Sequence, residues 1–256
     1  MRYRGPRFDL LNSCPMSTFV LVHGAWQSNA TWDLLTPFLE QRGHRVIKAV
    51  LRGLGTDQGH LNSDITLHHH IEDVSMQLDS LTDTAVLVGH SYAGMVISGA
   101  VESNPGRIRS LVFLDAFIPE DGQCVLDLLP PETGAYFRQI AREHDDGWRL
   151  ARGESQLDLW GLKQGAARDF VRERLCDFSL RCFEEPIRLP ENRKLNIPAS
   201  YVSCIGEGYP ARPFFEPFAR KARSLGWQVY ELSTGHDCHV EKPREISEIL
   251  LSAVTG

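Results

Sequence analysis

Ala85-Val86-Leu87-Val88-Gly89-His90-Ser91-Tyr92-Ala93-Gly94 is the stretch that decides the fold of this chain. A short apolar run reads as a buried strand. It meets a turn with a serine at its centre, and a helix rich in small residues follows. That is the layout of a nucleophile elbow, in which a strained turn lifts the serine hydroxyl above the sheet. The positions two before and two after the serine must be small, or their side chains collide. Gly89 and Ala93 occupy them, with alanine where glycine is usual, and Gly94 follows. The competing reading is a buried serine in an ordinary strand–helix turn.

Outward from this point, strands and helices alternate. Residues 18–22, 45–50, 84–89 and 108–114 read as strands. Residues 32–42, 66–81 and 91–103 read as helices, with Trp32, Leu35 and Leu39, and then Ile71, Val74 and Leu78, each on one face. Such alternation predicts a parallel sheet covered on both sides. It stops at Phe117. Residues 117–195 contain no convincing strand, prolines that include Pro119, Pro130, Pro131 and Pro186, and helices near 133–142 and 166–176, which predicts a helical insertion. Alternation resumes with strands at 199–205 and 227–232 and helices at 214–224 and 243–254.

The chain has 256 residues, 42% hydrophobic and 23% charged, which suits one α/β domain with an insertion. Its net charge of -6 and the lack of a basic patch argue against nucleic acid. No apolar run reaches membrane-spanning length. Residues 1–15 hold Arg2, Arg4 and Arg7 but no apolar core of a secretion signal, whereas Met16 runs straight into the first strand. Residues 1–16 are therefore set aside as a disordered N-terminal extension. The six cysteines (Cys14, Cys124, Cys176, Cys182, Cys204, Cys238) lack CxxC spacing, so free thiols and a cytoplasmic location are expected.

A serine nucleophile needs a base, an acid that orients it, and N–H donors for the oxyanion. His236 falls between the last strand and the last helix, where a base belongs when the order is nucleophile, acid, histidine. His90 lies inside the elbow, and His23 precedes a turn that it would shape. His68, His69 and His70 are consecutive and point in different directions, which does not suit a metal.

The segments His23-Gly24-Ala25-Trp26, Leu51-Arg52-Gly53-Leu54-Gly55, Gly89 to Val96, Leu114-Asp115-Ala116-Phe117-Ile118-Pro119 and Gly235-His236-Asp237 resemble the α/β-hydrolase superfamily. They are most similar to the branch of plant methylesterases, hydroxynitrile lyases and related bacterial esterases. The resemblance runs from about residue 17 to the C-terminus. It implies an oxyanion hole from the backbone N–H groups of Ala25 and Tyr92, and a helix N-terminus at Tyr92 suits an anion. Lyases of this branch carry threonine after the first histidine and lysine after the catalytic one. Gly24 and Asp237 stand there instead, which favours hydrolysis. The superfamily places the acid after the strand it counts as seventh or, less often, the sixth. Asp115 ends the sixth and Glu207 follows the seventh. Asp115 is preferred, because a carboxyl at a buried strand end needs a partner; Glu207 is the alternative.

The expected fold is therefore α/β, a mostly parallel sheet with helices on both faces and a helical cap inserted after the sixth strand. The core takes residues 17–116 and 196–256, and the cap 117–195. The expected function is cleavage of a small or medium apolar ester or lactone through an acyl-enzyme, with Ser91, His236 and Asp115 catalytic. Trp26, Tyr136, Phe137 and Trp160 are candidate pocket residues, and Trp148 is a further cap aromatic expected to line the pocket. No cofactor or metal, no nucleic acid and no membrane is implied, and a homodimer is the assembly left open. One alternative is a cofactor-free lyase, cyclase or C–C bond hydrolase. Another is a hydrolase-like ligand receptor with little turnover, since fold alone does not decide function.

Overall fold

The computed structural model describes residues 16–144, 147–191 and 197–255. The expected extension, apart from Met16, lies outside the described residues, as does Cys14. The strands among the described residues are β1 (Thr18–Val22), β2 (Arg45–Lys48), β3 (Ala85–His90), β4 (Ile108–Leu114), β5 (Arg149–Leu150), β6 (Phe178–Ser179), β7 (Ala199–Cys204) and β8 (Gln228–Leu232). The helices begin with α1 (Thr36–Glu40), α2 (Leu67–Asp79) and α3 (Ala93–Ser103). Then come α4 (Val125–Leu128), α5 (Pro131–Glu143), α6 (Glu154–Leu159), α7 (Ala166–Arg172) and α8 (Arg181–Glu184). The chain closes with α9 (Arg212–Ser224), α10 (Cys238–Glu241) and α11 (Pro243–Thr255).

Six strands form one parallel sheet in the order β2-β1-β3-β4-β7-β8. Every residue of β3 is buried, because α3 and α11 both reach it and cover its two faces. That explains its unbroken apolar run. Burying Val86, Leu87 and Val88 contributes on the order of 1.5–3 kcal/mol each. The edge strands β2 and β8 are partly exposed and more polar. The direction of strand addition reverses between β1 and β3, and at such a point the C-terminal ends of the strands open a crevice.

Two expectations are corrected. The helix expected over 32–42 is broken into a 3-10 turn at Asn29–Trp32 and the short α1. Pro37 has no N–H for a longer helix, so the helix starts just before it. Trp32, Leu35 and Leu39 are nevertheless all fully buried. Between β4 and β7, where no strand was expected, β5 and β6 pair as an antiparallel ribbon. Two residues per strand are too few to show a period of two. The remainder of that insertion is helical, α4 to α8.

Candidate active site

Ser91 follows β3 in the left-handed region, at φ +56°. A Cβ on Gly89 would lie 2.9 Å from the Ala93 carbonyl oxygen, so the turn tolerates no side chain there. One on Gly94 would lie 2.1 Å from the Phe117 carbonyl oxygen. The chain leaving β4 therefore runs directly over the elbow, and the Phe117 N–H donates to the Ser91 carbonyl at 3.2 Å. Trp26 (φ +60°) and Asp115 (φ +42°) are the other non-glycine residues with positive φ among the described residues. All three follow ends of central strands, and backbone strain of this kind costs about 1–3 kcal/mol per residue.

His236 and Asp115 meet although 121 residues separate them: Nδ1 of His236 lies 2.8 Å from Asp115 Oδ2. Both side chains are about 99% buried. The Asp115 carboxylate also accepts the Cys204 N–H on Oδ1 at 3.1 Å and the Tyr209 hydroxyl on Oδ2 at 2.6 Å. Phe215 stacks on the imidazole at 4.5 Å, and the His236 N–H donates to the Trp160 carbonyl. The far nitrogen, Nε2, has no hydrogen-bond partner among the described residues, and His236 and Ser91 line the same cavity.

The loop after β1 closes the other side. His23 donates Nδ1–H to the Gly24 carbonyl, and burial pushes its pKa down to about 4, so it shapes the turn as a neutral ring. Among the described residues the N–H groups of Ala25 and Tyr92 have no backbone acceptor. Tyr92 is fixed through its hydroxyl, which lies 3.0 Å from His70 Nδ1. His70 Nε2 faces the Arg52 carbonyl, so that nitrogen carries the proton and Nδ1 accepts from the tyrosine. Burial holds the His70 pKa down to about 3. His68 is exposed and His69 caps α2 at Thr66, so the three consecutive histidines do diverge.

The cavity at Ser91 is narrow, with about 50 Å³ of space open to the centre of a water-sized sphere. Trp26, Phe137 and Trp160 line it, with Phe117, Phe183 and Phe215. Tyr136 does not: it is 52% exposed, because α5 turns Phe137 inward and its neighbour outward. Trp148 lies outside the cavity under the Arg149 guanidinium. Trp26 joins the loop after β1 to the insertion, donating Nε1–H to the Leu150 carbonyl and accepting from the Cys176 N–H.

The chain matches the alpha/beta hydrolase family over residues 19–249. It belongs to the α/β-hydrolase family. It is 35% identical over 246 residues to a carbendazim hydrolyzing esterase of Nocardioides sp. (strain SG-4G), covering 92% of this chain and 98% of that one. It is 32% identical over 206 residues to a pyrethroid hydrolase of Sphingobium wenxiniae, covering 75% and 71%. Salicylic acid-binding protein 2 of Nicotiana tabacum is 38% identical over 104 residues, 40% of either chain. An extracellular alpha/beta-hydrolase from a Paenibacillus species shares the fold, with a TM-score of 0.77 at 24% identity over 93% of this chain and 99% of that one. This α/β-hydrolase is thus an enzyme of the hydrolase class, with esterases among its relatives.

Within the hydrolase, Glu207 is exposed and lines an outer cleft with Lys163 and Glu241, on a loop tied down by the Gly206 N–H to the Thr234 carbonyl. The same loop sends Tyr209 inward instead. Sequence reading missed Tyr209; its place two residues beyond Glu207, in the loop where the family usually holds its acid, was the available signal. Behind His236 lies a buried polar cluster of Gln27, His90, Asp237 and His239. Asp237 accepts from Gln27, and burial raises its pKa to about 6. Ligand atoms of His90, Asp237 and His239 lie within 4.8 Å of one another. His90 sits between Gln27 and the His236 carbonyl and Asp237 Oδ1 is taken by Gln27, which leaves Asp237 Oδ2 and the His239 nitrogens without a hydrogen bond among the described residues. Gln27, His90 and Asp237 therefore read as a hydrogen-bonded support for the His236 loop, with His239 packed against His90.

Proposed function

We propose that this hydrolase cleaves uncharged, apolar carboxylic esters or lactones of small to medium size through an acyl-enzyme. The observation that carries the reading is the buried Asp115–His236 pair, whose unpartnered Nε2 belongs to the same cavity as Ser91. An ionised carboxylate only accepts, so Nδ1 carries the imidazole proton and Nε2 keeps its lone pair. Nε2 takes the Ser91 proton as the hydroxyl attacks the acyl carbonyl. The free N–H groups of Ala25 and Tyr92 receive the oxyanion. Nε2–H then protonates the leaving alkoxide. A water, deprotonated in the same way, releases the acid and restores Ser91.

The substrate class follows from the cavity wall. Among the described residues it carries no Asp, Glu, Lys or Arg, so a charged acyl or alcohol group would lose hydration without gaining a partner. The lyase alternative is disfavoured on two counts. A Cβ on Gly24 would lie 3.0 Å from the Ser91 Cβ, leaving little room for a threonine. Asp237 is fully buried, so a lysine there would bury an ammonium. Relatives named for hydrolysing carbendazim and pyrethroids support hydrolysis as well.

The test is fluorophosphonate labelling beside turnover of p-nitrophenyl acetate. Wild-type protein is expected to label once and to turn over repeatedly; Ser91→Ala does neither above the residual level left by the oxyanion hole and binding. Wild-type labelling with a single turnover favours the receptor reading. Ser91→Ala at the wild-type rate removes Ser91 from the mechanism.

A further inference from the structure

His236 Nδ1 has a second polar neighbour besides the carboxylate that a serine, histidine and aspartate require. Tyr209 Oη lies 2.6 Å from Asp115 Oδ2 and 2.9 Å from His236 Nδ1, so three polar groups meet in a closed triangle. The triangle contains two protons, one on the phenol and one on Nδ1. The carboxylate has none and accepts both. The remaining edge, between the phenol oxygen and the imidazole, is then a weak second acceptor for Nδ1–H. Burial and the neighbouring Asp115 charge hold the phenol pKa well above its ordinary value, so it stays a donor at every working pH. Tyr209 is 5% exposed and its ring lies nearly parallel to the imidazole, at 27°.

We propose that Tyr209 is a positioning residue of this site, its hydroxyl stabilising the Asp115 carboxylate so that the acid orients His236 without holding its proton too tightly. The proposal rests on the roles given above to Ser91, His236 and Asp115. Asp115 is buried, and an anion there keeps its charge only through the hydrogen bonds it accepts. The Cys204 N–H serves Oδ1, and His236 and Tyr209 share Oδ2. Without the phenol, the imidazole becomes the sole donor to Oδ2. The carboxylate then concentrates its charge on Nδ1–H and favours the imidazolium in the resting enzyme. That form cannot accept the Ser91 proton. A loop that could have supplied the acid, through Glu207, thus supplies a hydroxyl that tunes an acid from β4.

Other titratable groups also face the imidazole. His90 comes from the end of β3 at 4.5 Å between ring centroids, and Asp237 and His239 come from the start of α10. Cys204 at the end of β7 donates towards the His236 carbonyl, and Cys238 is a neighbour on α10; Glu241 acts on Asp237 rather than on the ring. Trp160 and Phe215 are apolar neighbours. Burial keeps His90 and His239 neutral. Asp237, at about 6, titrates in the window of interest and needs its own control.

The experiment follows p-nitrophenyl acetate hydrolysis from about pH 5 to about pH 9, a range that spans an imidazole limb. Tyr209→Phe keeps the ring and removes the hydroxyl. It is expected to lower kcat about tenfold, as for a hydrogen bond to a charged group, with KM within about twofold. The acid limb of kcat/KM is expected to move up by about half a pH unit or more. The same shift is expected when Tyr209→Phe is made in an Asp237→Asn background. In an Asp115→Asn background the further loss is expected to be under about twofold, because the phenol acts through the carboxylate. An unchanged kcat and limb with only a lower Tm overturns the proposal, as does a full tenfold loss without Asp115. Where Tyr209→Phe does not fold, nitrogen-15 shifts of the wild-type imidazole decide. A proton on Nδ1 supports the proposal, and a bare Nδ1 means that Tyr209 donates to histidine and overturns it. Ser91→Ala separates the two levels: if it retains activity, the proposed function itself fails, whatever Tyr209 does.

Discussion

Replacing Asp115 by asparagine changes one oxygen into a donor and leaves volume and shape almost untouched. The surroundings make that change severe in either orientation of the amide. With its NH2 at the Oδ2 position, the amide meets the Tyr209 hydroxyl and His236 Nδ1, both of which donate there. With its NH2 at the Oδ1 position, it meets the Cys204 N–H. The first orientation is relieved if the imidazole moves its proton to Nε2, which then cannot accept from Ser91. The second leaves two buried donors opposed, at a cost of about 1–3 kcal/mol. Loss of the correct tautomer in a serine protease lowers turnover by ~10⁴. Asp115→Asn is therefore expected to lower kcat for p-nitrophenyl acetate by about 10³–10⁴ while the far-UV circular dichroism spectrum stays native. Glu207→Gln, on an exposed loop, is expected to stay within about twofold, inside the usual surface range of ±0.5 kcal/mol. Steady-state rates of the two purified variants, side by side, check this. An Asp115→Asn enzyme within tenfold of wild type, beside a Glu207→Gln enzyme that has collapsed, would refute the reasoning.

Two further outcomes concern stability. Gly94→Ala places a methyl 2.1 Å from the Phe117 carbonyl oxygen, a backbone atom that cannot turn aside, so a loss of about 2 kcal/mol or more is expected in urea titrations; a midpoint equal to wild type would mean that the two segments separate freely. His23, His70 and His239 are held neutral to about 4, 3 and 3, whereas the unfolded chain binds these protons near 6.5. Between those values the unfolded state binds more protons, so stability is lost as pH falls from about 6.5 towards 4, by about 1.4 kcal/mol per group per pH unit at most. Asp237, raised to about 6, works in the opposite sense over the same range and offsets one of the three. Urea midpoints at about pH 7, 5.5 and 4.5 are expected to fall in that order; a rise on acidification would count against buried neutral histidines.

Much of this was legible in the sequence because strong local rules applied. The apolar run before Gly89 and the small residues after Ser91 permit little but a strand, a tight turn and a helix. His236 was singled out by its position between the last strand and the last helix, and the structure brings it to Asp115. Asp115 was favoured because a carboxyl at the end of a buried strand needs a partner, and the structure supplies three donors to it. What failed to show was what depends on side-chain direction or on very short elements. Tyr136 and Phe137 are adjacent aromatics on one helix, and only packing decides which turns inward. β5 and β6 exist because Trp26 and its neighbours hold them, not because their own residues propose strands. Tyr209 carries no motif of its own; its role arises from where a glycine-flanked loop happens to turn.

The passage from acid to insertion has a practical bearing. Asp115 ends its strand, and two residues later Phe117 is bonded to the Ser91 carbonyl and pressed against Gly94. The segment 115–117 is at once part of the proposed reaction centre and the point where the chain leaves the sheet for α4 and the helices after it. An insertion grafted from a relative whose acid follows β7 would arrive with a junction made for a different geometry. Domain exchange in this branch should therefore be cut on the far side of Phe117. Where that seam is respected, the roof over Ser91 can be re-tailored for new acyl groups while the proton-handling machinery beneath stays as it is.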